Sequence, residues 1–328
     1  MDHLLKFKPI LKSKIWGGDR LSAIYSSSEA DSKHLPVGES YLLSGLTCDE
    51  SIVLNGEFAG QSLSQLIERF KGELIGESSY EKHQLEFPLL IKAIDAAQDL
   101  SVQVHPNDEL AQQYQHANGK TELWYIVDAE NDATLISGFS QKTSKQEFKQ
   151  YYQDGRLMDL LNVKPTQKDD IFFIQAGKVH TIGKGNLIIE VQQSSDLTYR
   201  IFDFDRRDDE GNLRELHHDL AYEAMDYDDT DSGRVLNRNN ELSKEPIIAC
   251  DYFTMNMLNV YQTMECNYAE LDSFVVLINV GDDARLQSKS DSCSVNFLEA
   301  ILVPAKCQGI TIEPESDNCK FLEVFIEN

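Results

Sequence analysis

The chain has few basic residues for its length and no long apolar stretch. Its 328 residues include 30 lysines and arginines against 55 aspartates and glutamates, a formal net charge of -25. Such acidity repels nucleic acid and anionic membrane surfaces, so neither is an expected partner. No run of about 18 apolar residues is present, and Met1–Lys6 lacks the layout of a signal peptide. We therefore expect a cytoplasmic protein with no membrane span.

Cysteine pairs with metal-type spacing are also absent. None of the 6 cysteines forms a C-x-x-C pair, and all but one follow residue 249. In a cytoplasmic chain this pattern is typical of reduced, buried thiols, which are not expected to carry the chemistry. The cysteines are Cys48, Cys250, Cys266, Cys293, Cys307 and Cys319.

One strand-like segment, Ser101–Asp108 (SVQVHPND), carries two polar side chains among apolar ones. Gln103 and His105 are two residues apart, so both point to the same face of a strand, which Pro106 then ends. Taken singly, a histidine on an apolar strand is more typical of a packed core residue than of a metal ligand. Two donors delivered to one place make a binding site the alternative hypothesis.

A second segment, Gly119–Val127 (GKTELWYIV), repeats this arrangement with Lys120 and Glu122. Further along, His180 follows a glycine-containing turn. Inward-pointing polar side chains of a β-barrel need partners, and a metal ion is one such partner. An amide oxygen, two imidazoles and a carboxylate suit a borderline divalent metal such as zinc. The four donors are Gln103, His105, Glu122 and His180.

A lysine interrupts another apolar segment, Phe87–Ala96. Lys92 in this position must either extend to solvent or meet an anion. Because the whole chain is acidic, any phosphate site must be locally basic, which draws attention to a few cations. They are Lys92, Lys120 and Arg200.

Several separated motifs occur in an order that resembles the type I mannose-6-phosphate isomerase family. They are SVQVHPND at 101–108, GKTE at 119–122, AGKVH at 176–180 and TYRIFD at 198–203. The opening segments LKSKIWGG at 11–18 and VGESY at 37–41 are similar to its N-terminal pattern. The resemblance covers roughly residues 4–210, and the length is that of the short bacterial form. One departure is Gln175, which stands where the second cupin motif usually has proline.

The resemblance implies a mainly β protein. Its catalytic domain would be a cupin-type double-stranded β-helix, or jelly roll, with short helical segments near 62–76, 108–117 and 143–161. We place this domain at 1–235 and a smaller C-terminal cupin-like β domain, without its own metal site, at 246–328. Between them, the Asp-rich run at 226–231 and the asparagine-rich run at 237–240 are typical of a linker or edge loop.

The resemblance also implies the reaction, a zinc-dependent interconversion of mannose 6-phosphate and fructose 6-phosphate through a metal-stabilised enediolate. One Zn²⁺ per chain would be held by the four donors named above. Ser101 and Lys92 match positions that bind the substrate's phosphate. The small-molecule sugar phosphate is the expected partner, and the protein would be a monomer or a homodimer.

Arg200 matches the family's active-site arginine, and its permanent charge suits a position beside an enediolate. Lys120 would contact substrate oxygens or assist proton transfer; the alternative is a simple ion pair with Glu122. Asp203 would support the site by orienting Arg200 or a metal-bound water. The identity of the general base is left open.

Two other functions remain open at this point. A metal-dependent oxygenase of the same barrel class would use an open iron site, which leaves Lys92, Ser101 and Arg200 without a role. A sugar-phosphate-binding protein that kept the pocket and lost the chemistry is the second alternative.

Overall fold

The computed structural model describes residues 2–25, 36–207, 210–235 and 243–327, and these residues are mainly β. The strands are β1 Leu5–Lys6, β2 Ile10–Gly18, β3 Val37–Ser44, β4 Leu89–Asp95, β5 Val102–Val104, β6 Glu122–Ala129, β7 Thr134–Phe139, β8 Leu161–Pro165, β9 Ile171–Ile174, β10 His180–Ile182, β11 Asn186–Gln193, β12 Tyr199–Phe202, β13 Lys244–Ala249, β14 Thr254–Val260, β15 Met264–Asn267, β16 Val275–Asn279, β17 Ala284–Gln287, β18 Ser292–Val295, β19 Ala300–Val303, β20 Gly309–Pro314 and β21 Cys319–Phe325. The helices are α1 Arg20–Tyr25, α2 Leu63–Phe70, α3 Gly72–Ile75, α4 Glu77–His83, α5 Asp108–Gln115, α6 Lys145–Gln153 and α7 His218–Ala224, with 3₁₀ turns at Gly56–Phe58 and Leu157–Leu160.

Each range in which the sequence predicts a short helical segment contains a helix: α2 and α3, α5, and α6. Ser62, Asn107 and Ser144 stand just before α2, α5 and α6, and each side chain accepts a hydrogen bond from a backbone N–H three residues later. These caps satisfy donors that the first helical turn leaves free, so each helix begins at a polar residue. Within the described ranges, no helix combines the length and the apolar character needed to cross a membrane.

The chain packs as two compact units, the first of which contains residues 2–10, 42–90 and 243–327. Its sheets have the strand orders β1-β19-β16-β21-β14-β13 and β15-β20-β17-β18. In the first sheet β1 pairs antiparallel with β19, and Leu5 lies opposite Leu302. The Phe87 and Phe274 rings pack with centroids 4.6 Å apart. These contacts place the segments 2–10 and 42–90 with the C-terminal strands, whereas the sequence prediction assigned them to the catalytic domain.

The second unit contains residues 11–25, 36–41, 91–207 and 210–235 and is built as a jelly roll. Its sheets have the orders β12-β5-β10-β7-β8 and β2-β3-β4-β11-β6-β9. Leu135 and Ile182 of the five-stranded sheet share one buried core with Trp124 and Ile188 of the six-stranded sheet. The inner faces of the two sheets therefore enclose the interior, as expected for a sandwich of antiparallel sheets.

The outer face of the five-stranded sheet is also buried. Val104 and Ile136 pack there in one core with Phe148 of α6 and Ala221 of α7. Because the central strands β5 and β10 are covered on both faces, a polar side chain that points inward from them stands out. The sheet is thus a rigid support for the few polar groups on its inner face.

The Asp-rich segment at 226–231, which the sequence predicts to be a linker or an edge loop, is a loop that packs against the second unit. Asp229 forms an ion pair with the buried Lys178, at 2.6 Å between Oδ2 and Nζ, and Lys178 Nζ also donates to the carbonyl of Asp231 at 2.7 Å. A buried lysine needs such partners, so the acidic segment folds against it. The asparagine-rich run at 237–240 lies outside the described residues.

The cysteines are free thiols, and they are less buried than the sequence suggested. Cys307 and Cys319 are buried, Cys48 is exposed, and the other three are half-buried. Burial raises the pKa of Cys307 and of Cys319 to about 12. These two thiols are therefore protonated at neutral pH and act as apolar packing groups.

Replacement of Gly183 by alanine should destabilise the jelly roll, because a Cβ at this position would lie 2.2 Å from the carbonyl oxygen of Thr134. The strands must shift, at a cost of about 1–3 kcal/mol or more in free energy of unfolding. Urea unfolding of Gly183→Ala measures this loss. The neighbouring exposed Lys184 gives the control, since Lys184→Ala should change the stability by less than about 0.5 kcal/mol. Equal stability of the two variants would contradict the close approach.

Candidate active site

Three of the residues expected in the site stand in one row across the five-stranded sheet. The antiparallel register places Gln103 of β5 opposite His180 of β10 on one side and opposite Arg200 of β12 on the other. Residues paired in this way have side chains about 5 Å apart. Their proximity therefore follows from strand pairing between segments that are far apart in sequence.

The six-stranded sheet supplies the opposite side. Glu190 of β11 pairs with Trp124 of β6, and Trp124 Nε1–H donates to Glu190 Oε2 at 2.8 Å. Glu122 is the first residue of β6, and Lys92 lies in β4. Glu122, Lys92 and Glu190 are all buried. Two sheets thus bring charged side chains together in an interior that is otherwise apolar.

His105, Glu122 and His180 form a compact buried cluster. One potential ligand atom from each lies within 4.8 Å of the others. Glu122 Oε2 is 3.5 Å from His105 Nε2, and Glu122 Oε1 is 3.5 Å from His180 Nε2. Two imidazole nitrogens and a carboxylate oxygen at this spacing are a donor set that binds zinc and similar ions.

The second ring nitrogen of each histidine is used to orient the ring. His105 Nδ1 lies 2.7 Å from the carbonyl oxygen of Leu197, and His180 Nδ1 lies 2.8 Å from that of Lys178. A carbonyl only accepts, so Nδ1 carries the proton and Nε2 turns its lone pair toward Glu122. This is the usual arrangement of metal-binding histidines.

Both histidines are neutral at physiological pH. Burial, reinforced by the nearby Lys120 ammonium, holds the pKa of His105 well below 6.5. Burial also lowers the pKa of His180 to about 3. A neutral imidazole is the form that binds a metal, so no proton has to be removed from either ring before binding.

Gln103 stands next to this cluster. Its amide nitrogen donates to His180 Nε2 at 3.2 Å, and its oxygen accepts from the Ser101 hydroxyl at 3.4 Å. Rotation of the amide by about 180° would exchange the two atoms and turn the oxygen toward the cluster. Gln103 is therefore placed to act as a fourth donor in that orientation.

The hydrogen bonds and the pKa of the Glu122 carboxylate indicate whether a cation fits the cluster. Neither oxygen accepts a hydrogen bond of normal geometry from a described residue, although Lys120 Nζ forms an ion pair with Oε2 at 2.8 Å. Burial and the charge of Glu190 raise the pKa of Glu122 to about 7. A divalent ion would give these two buried oxygens a partner of opposite charge in addition to Lys120. The donor set therefore fits a divalent metal.

Lys120 touches several groups of the cluster. Its Nζ donates to His105 Nε2 at 3.1 Å and lies 3.4 Å from Glu190 Oε1, besides the ion pair with Glu122. The ion pair that the sequence offered as an alternative role is therefore present. Its contact with two metal-type donors also places Lys120 beside any group that they bind.

Lys92 is the other buried cation, and carboxylates surround it. Its Nζ is 3.0 Å from Glu190 Oε1 and 3.7 Å from Glu39 Oε1. Burial opposes ionisation of Glu190, but Lys120 and Lys92 outweigh it and lower the pKa of Glu190 to about 2. Glu190 was missed at the sequence level. The available signal was a single carboxylate in the apolar strand β11, comparable with Lys92 in β4.

These residues face a cleft of about 100 Å³, which is room for several water molecules. Five of its lining residues are cationic and two are anionic, so the cleft is basic in an acidic protein. This is the local condition that a phosphate site requires. The cations are Lys14, Lys92, Lys120, Arg200 and Arg214, and the anions are Glu39 and Glu190.

Arg200 differs from the other cations of the cleft. Its Nε donates to Ser101 Oγ at 3.3 Å and its NH1 donates to the carbonyl of Glu215 at 2.9 Å. Burial, followed by repulsion from Arg214, lowers the pKa of Arg200 from its ordinary value. Within the described ranges no carboxylate forms an ion pair with Arg200, so its charge is available to an anion.

Asp203 does not make the predicted contact with Arg200. Its carboxylate binds Arg214, through Nε at 2.7 Å and through a second guanidinium nitrogen, and it also binds Arg206. Asp203 follows the end of β12, where it meets these two arginines instead. Asp203 therefore affects the cleft by holding Arg214, which lines it.

The fold and the site together define a cupin-type jelly-roll protein with a buried candidate metal centre. The family model for phosphomannose isomerase type I, catalytic domain, matches residues 4–148. Mannose-6-phosphate isomerase ManA of Bacillus subtilis is 38% identical over 259 residues, which are 78% of this chain and 79% of that protein. The chain belongs to the type I phosphomannose isomerase family.

Solved structures agree with this fold. A mannose 6-phosphate isomerase from Bacillus subtilis superimposes with a TM-score of 0.86 at 27% identity and covers 99% of both chains. Another mannose 6-phosphate isomerase, described as bound with zinc and yttrium, gives a TM-score of 0.77 at 16% identity, with 99% of this chain and 100% of that chain covered. The second likeness concerns the fold alone.

Removal of the Glu190 charge should destabilise the metal-free protein, because Lys92 and Lys120 lose a shared buried partner. We expect Glu190→Gln to lower the free energy of unfolding by about 3 kcal/mol in urea. The carboxylate pKa is lowered, so its stabilisation is present above pH 4.5 and shrinks as the pH falls toward 2.

The matched control repeats this substitution in a Lys120→Met background. One fewer cation is then left without its partner, so the loss caused by Glu190→Gln should be smaller by about 1 kcal/mol. The same loss in both backgrounds would show that Glu190 and Lys120 are not energetically coupled.

Proposed function

We propose that the protein is a zinc-dependent isomerase that interconverts mannose 6-phosphate and fructose 6-phosphate. The observation that carries this proposal is a buried donor cluster, with two neutral histidines and a carboxylate that accepts no hydrogen bond of normal geometry, in contact with Gln103 and Lys120, which line a basic cleft. The relatives named above are mannose-6-phosphate isomerases, and their names indicate the same substrate. A cluster without a phosphate-binding cleft would fit many cupins; the combination favours a phosphorylated sugar.

One zinc ion per chain would be held by the predicted set of donors. His105, His180 and Glu122 lie together in the cluster, and Gln103 completes the set when its oxygen turns inward. Imidazole and carboxylate donors suit zinc, and one structural relative is described as bound with zinc. When bound, the metal supplies Lewis-acid polarisation of the substrate's carbonyl and hydroxyl oxygens.

The reaction moves one proton from carbon 2 to carbon 1 of the sugar and one from the hydroxyl oxygen to the former carbonyl oxygen. No electron acceptor is needed, because the substrate is its own redox partner. Arg200 would hold the developing negative charge of the enediolate without giving up a proton, since a guanidinium stays charged. Lys120, beside the donors and Glu190, would hold a proton at Nζ within reach of the substrate's oxygens.

The phosphate group would bind toward the mouth of the cleft. Ser101 lines the cleft, and a serine hydroxyl can donate a hydrogen bond to a phosphate oxygen. Lys92 is assigned to the phosphate by the family resemblance, and its ammonium is at present paired with Glu190 and Glu39. Its contribution would therefore be shared between these carboxylates and the substrate.

The catalytic groups all lie within residues 1–235, the range assigned to the catalytic domain. The C-terminal β domain at 246–328 would contribute no ligand to the metal, and the protein would work as a monomer or a homodimer. An oxygenase function would leave the basic cleft and the Ser101–Arg200 contact without a role, so the isomerase function accounts for more of the site.

Chelation should abolish conversion of mannose 6-phosphate to fructose 6-phosphate by the purified protein, and zinc should restore it. The expected reason is the loss of the Lewis acid that would polarise the substrate's carbonyl and hydroxyl oxygens. Initial rates before chelation, after it and after zinc return measure this. If the fully metallated protein does not convert the sugar phosphate, the isomerase assignment fails for this substrate.

Arg200→Ala should lower kcat by about 100-fold or more while zinc stays bound, because the side chain stabilises charge in the transition state and does not touch the metal donors. Metal analysis of the purified variant serves as the control. Arg200→Lys should recover only part of the activity, because an ammonium lacks the planar fork. Wild-type turnover in Arg200→Ala would remove the arginine from the mechanism.

A further inference from the structure

We propose that the guanidinium of Arg214 binds the phosphate group of the substrate and so determines specificity for phosphorylated sugars. Arg214 was not among the residues expected in the site. It lines the same cleft as Ser101 and Arg200, from a segment that follows β12 in the chain. The inference rests on the proposed function, since it concerns recognition of the substrate at that same site.

Arg214 is held in place by a carboxylate. Asp203 binds two nitrogens of its guanidinium, one of them Nε at 2.7 Å. Asp203 is also bound by Arg206, whose NH1 donates to the carbonyl of Asp99. A guanidinium fixed on one edge keeps its remaining N–H groups in a set direction, so little side-chain entropy is lost when they bind an anion.

The charges around Asp203 leave an excess that an anion would balance. Arg206 and Arg214 share this one carboxylate, which therefore does not cancel both charges, and repulsion from Arg214 is the second cause, after burial, of the lowered pKa of Arg200. The side chain of Glu215 is largely exposed, so water screens its charge. Of the three guanidinium groups, only Arg200 and Arg214 line the cleft. A phosphate monoester carries between about -1.5 and -2 at neutral pH.

The other cations of the cleft are already neutralised. Lys92 and Lys120 each have buried carboxylate partners, and Lys14 pairs with Glu39 at 2.9 Å. Only Arg200 and Arg214 bring charge to the cleft beyond what their partners cancel. Because Arg200 is assigned to the enediolate, Arg214 is the planar fork that remains for the phosphate, and a guanidinium can bind two oxygens of one phosphate group.

The experiment compares Arg214→Met with Arg206→Met. Both variants remove one partner of Asp203, but only Arg214 lines the cleft. With zinc-loaded protein we would measure kcat and KM for mannose 6-phosphate and the competitive inhibition constant of inorganic phosphate. Loss of a charged hydrogen bond should raise KM and the phosphate inhibition constant by about 10- to 100-fold in Arg214→Met, with a smaller change in kcat. In Arg206→Met both constants should change by less than about 3-fold.

A third variant keeps the experiment informative if Arg214→Met does not fold. Arg214→Lys keeps a positive charge but lacks the planar guanidinium, so its phosphate inhibition constant should lie between those of the wild type and Arg214→Met. If Arg214→Met does not fold, the inhibition constant of Arg214→Lys tests the proposal instead. An unchanged phosphate inhibition constant in Arg214→Met overturns the proposal. Equal losses in Arg206→Met do so as well, because the effect would then be a structural one through Asp203. Absence of turnover in the wild type would instead refute the proposed function, and binding of inorganic phosphate, measured by calorimetry, would still test Arg214.

Discussion

The second unit depends on a balance of charges buried between two sheets. Two buried lysines and three buried carboxylates lie beside the two neutral histidines, and the half-buried Lys14 is a further partner of one of these carboxylates, Glu39. The five are Lys92, Lys120, Glu39, Glu122 and Glu190. Removing such groups from water costs several kcal/mol each unless they are paired, so each position constrains the others. A divalent cation at the cluster would meet the Glu122 carboxylate, whose oxygens accept no hydrogen bond of normal geometry from the described residues.

The jelly roll makes this arrangement possible because strand register, not loop conformation, sets the spacing. Arg200, Gln103 and His180 are neighbours in one row of the five-stranded sheet, and Glu190 and Trp124 are a cross-strand pair in the other. Apolar packing on both faces of the five-stranded sheet resists displacement of the strands. Arg200 lines the cleft from this sheet, and Arg214 lines it from a segment that follows β12.

Local spacing was enough to predict part of the site from the sequence. Gln103 with His105, and Lys120 with Glu122, are each two residues apart, and a strand of period two necessarily puts them on one face. The helices were visible through caps such as Ser62 and Asn107. Both kinds of signal depend only on residues close together in the chain.

Features that depend on distant pairing could not be predicted in this way. Glu190 looks like one charged residue in an apolar strand, and only the sheet reveals that it bridges Lys92 and Lys120. The pairing of β1 with β19 joins the first residues to the C-terminal strands, and no local sequence pattern predicts this pairing. The role of Asp229 could not be predicted because its partner Lys178 is about 50 residues away in the chain. By itself, the acidic run that contains Asp229 resembles a solvated loop.

The most direct test of the account is a crystal structure of the zinc-loaded protein with an anomalous difference map at the zinc edge. We expect one peak per chain, bound by Nε2 of His105, Nε2 of His180 and an oxygen of Glu122, with the Gln103 oxygen turned toward it. Zinc bound at a different place, or no ordered zinc at this cluster in protein that contains it, would contradict the claim that these buried donors form the metal centre.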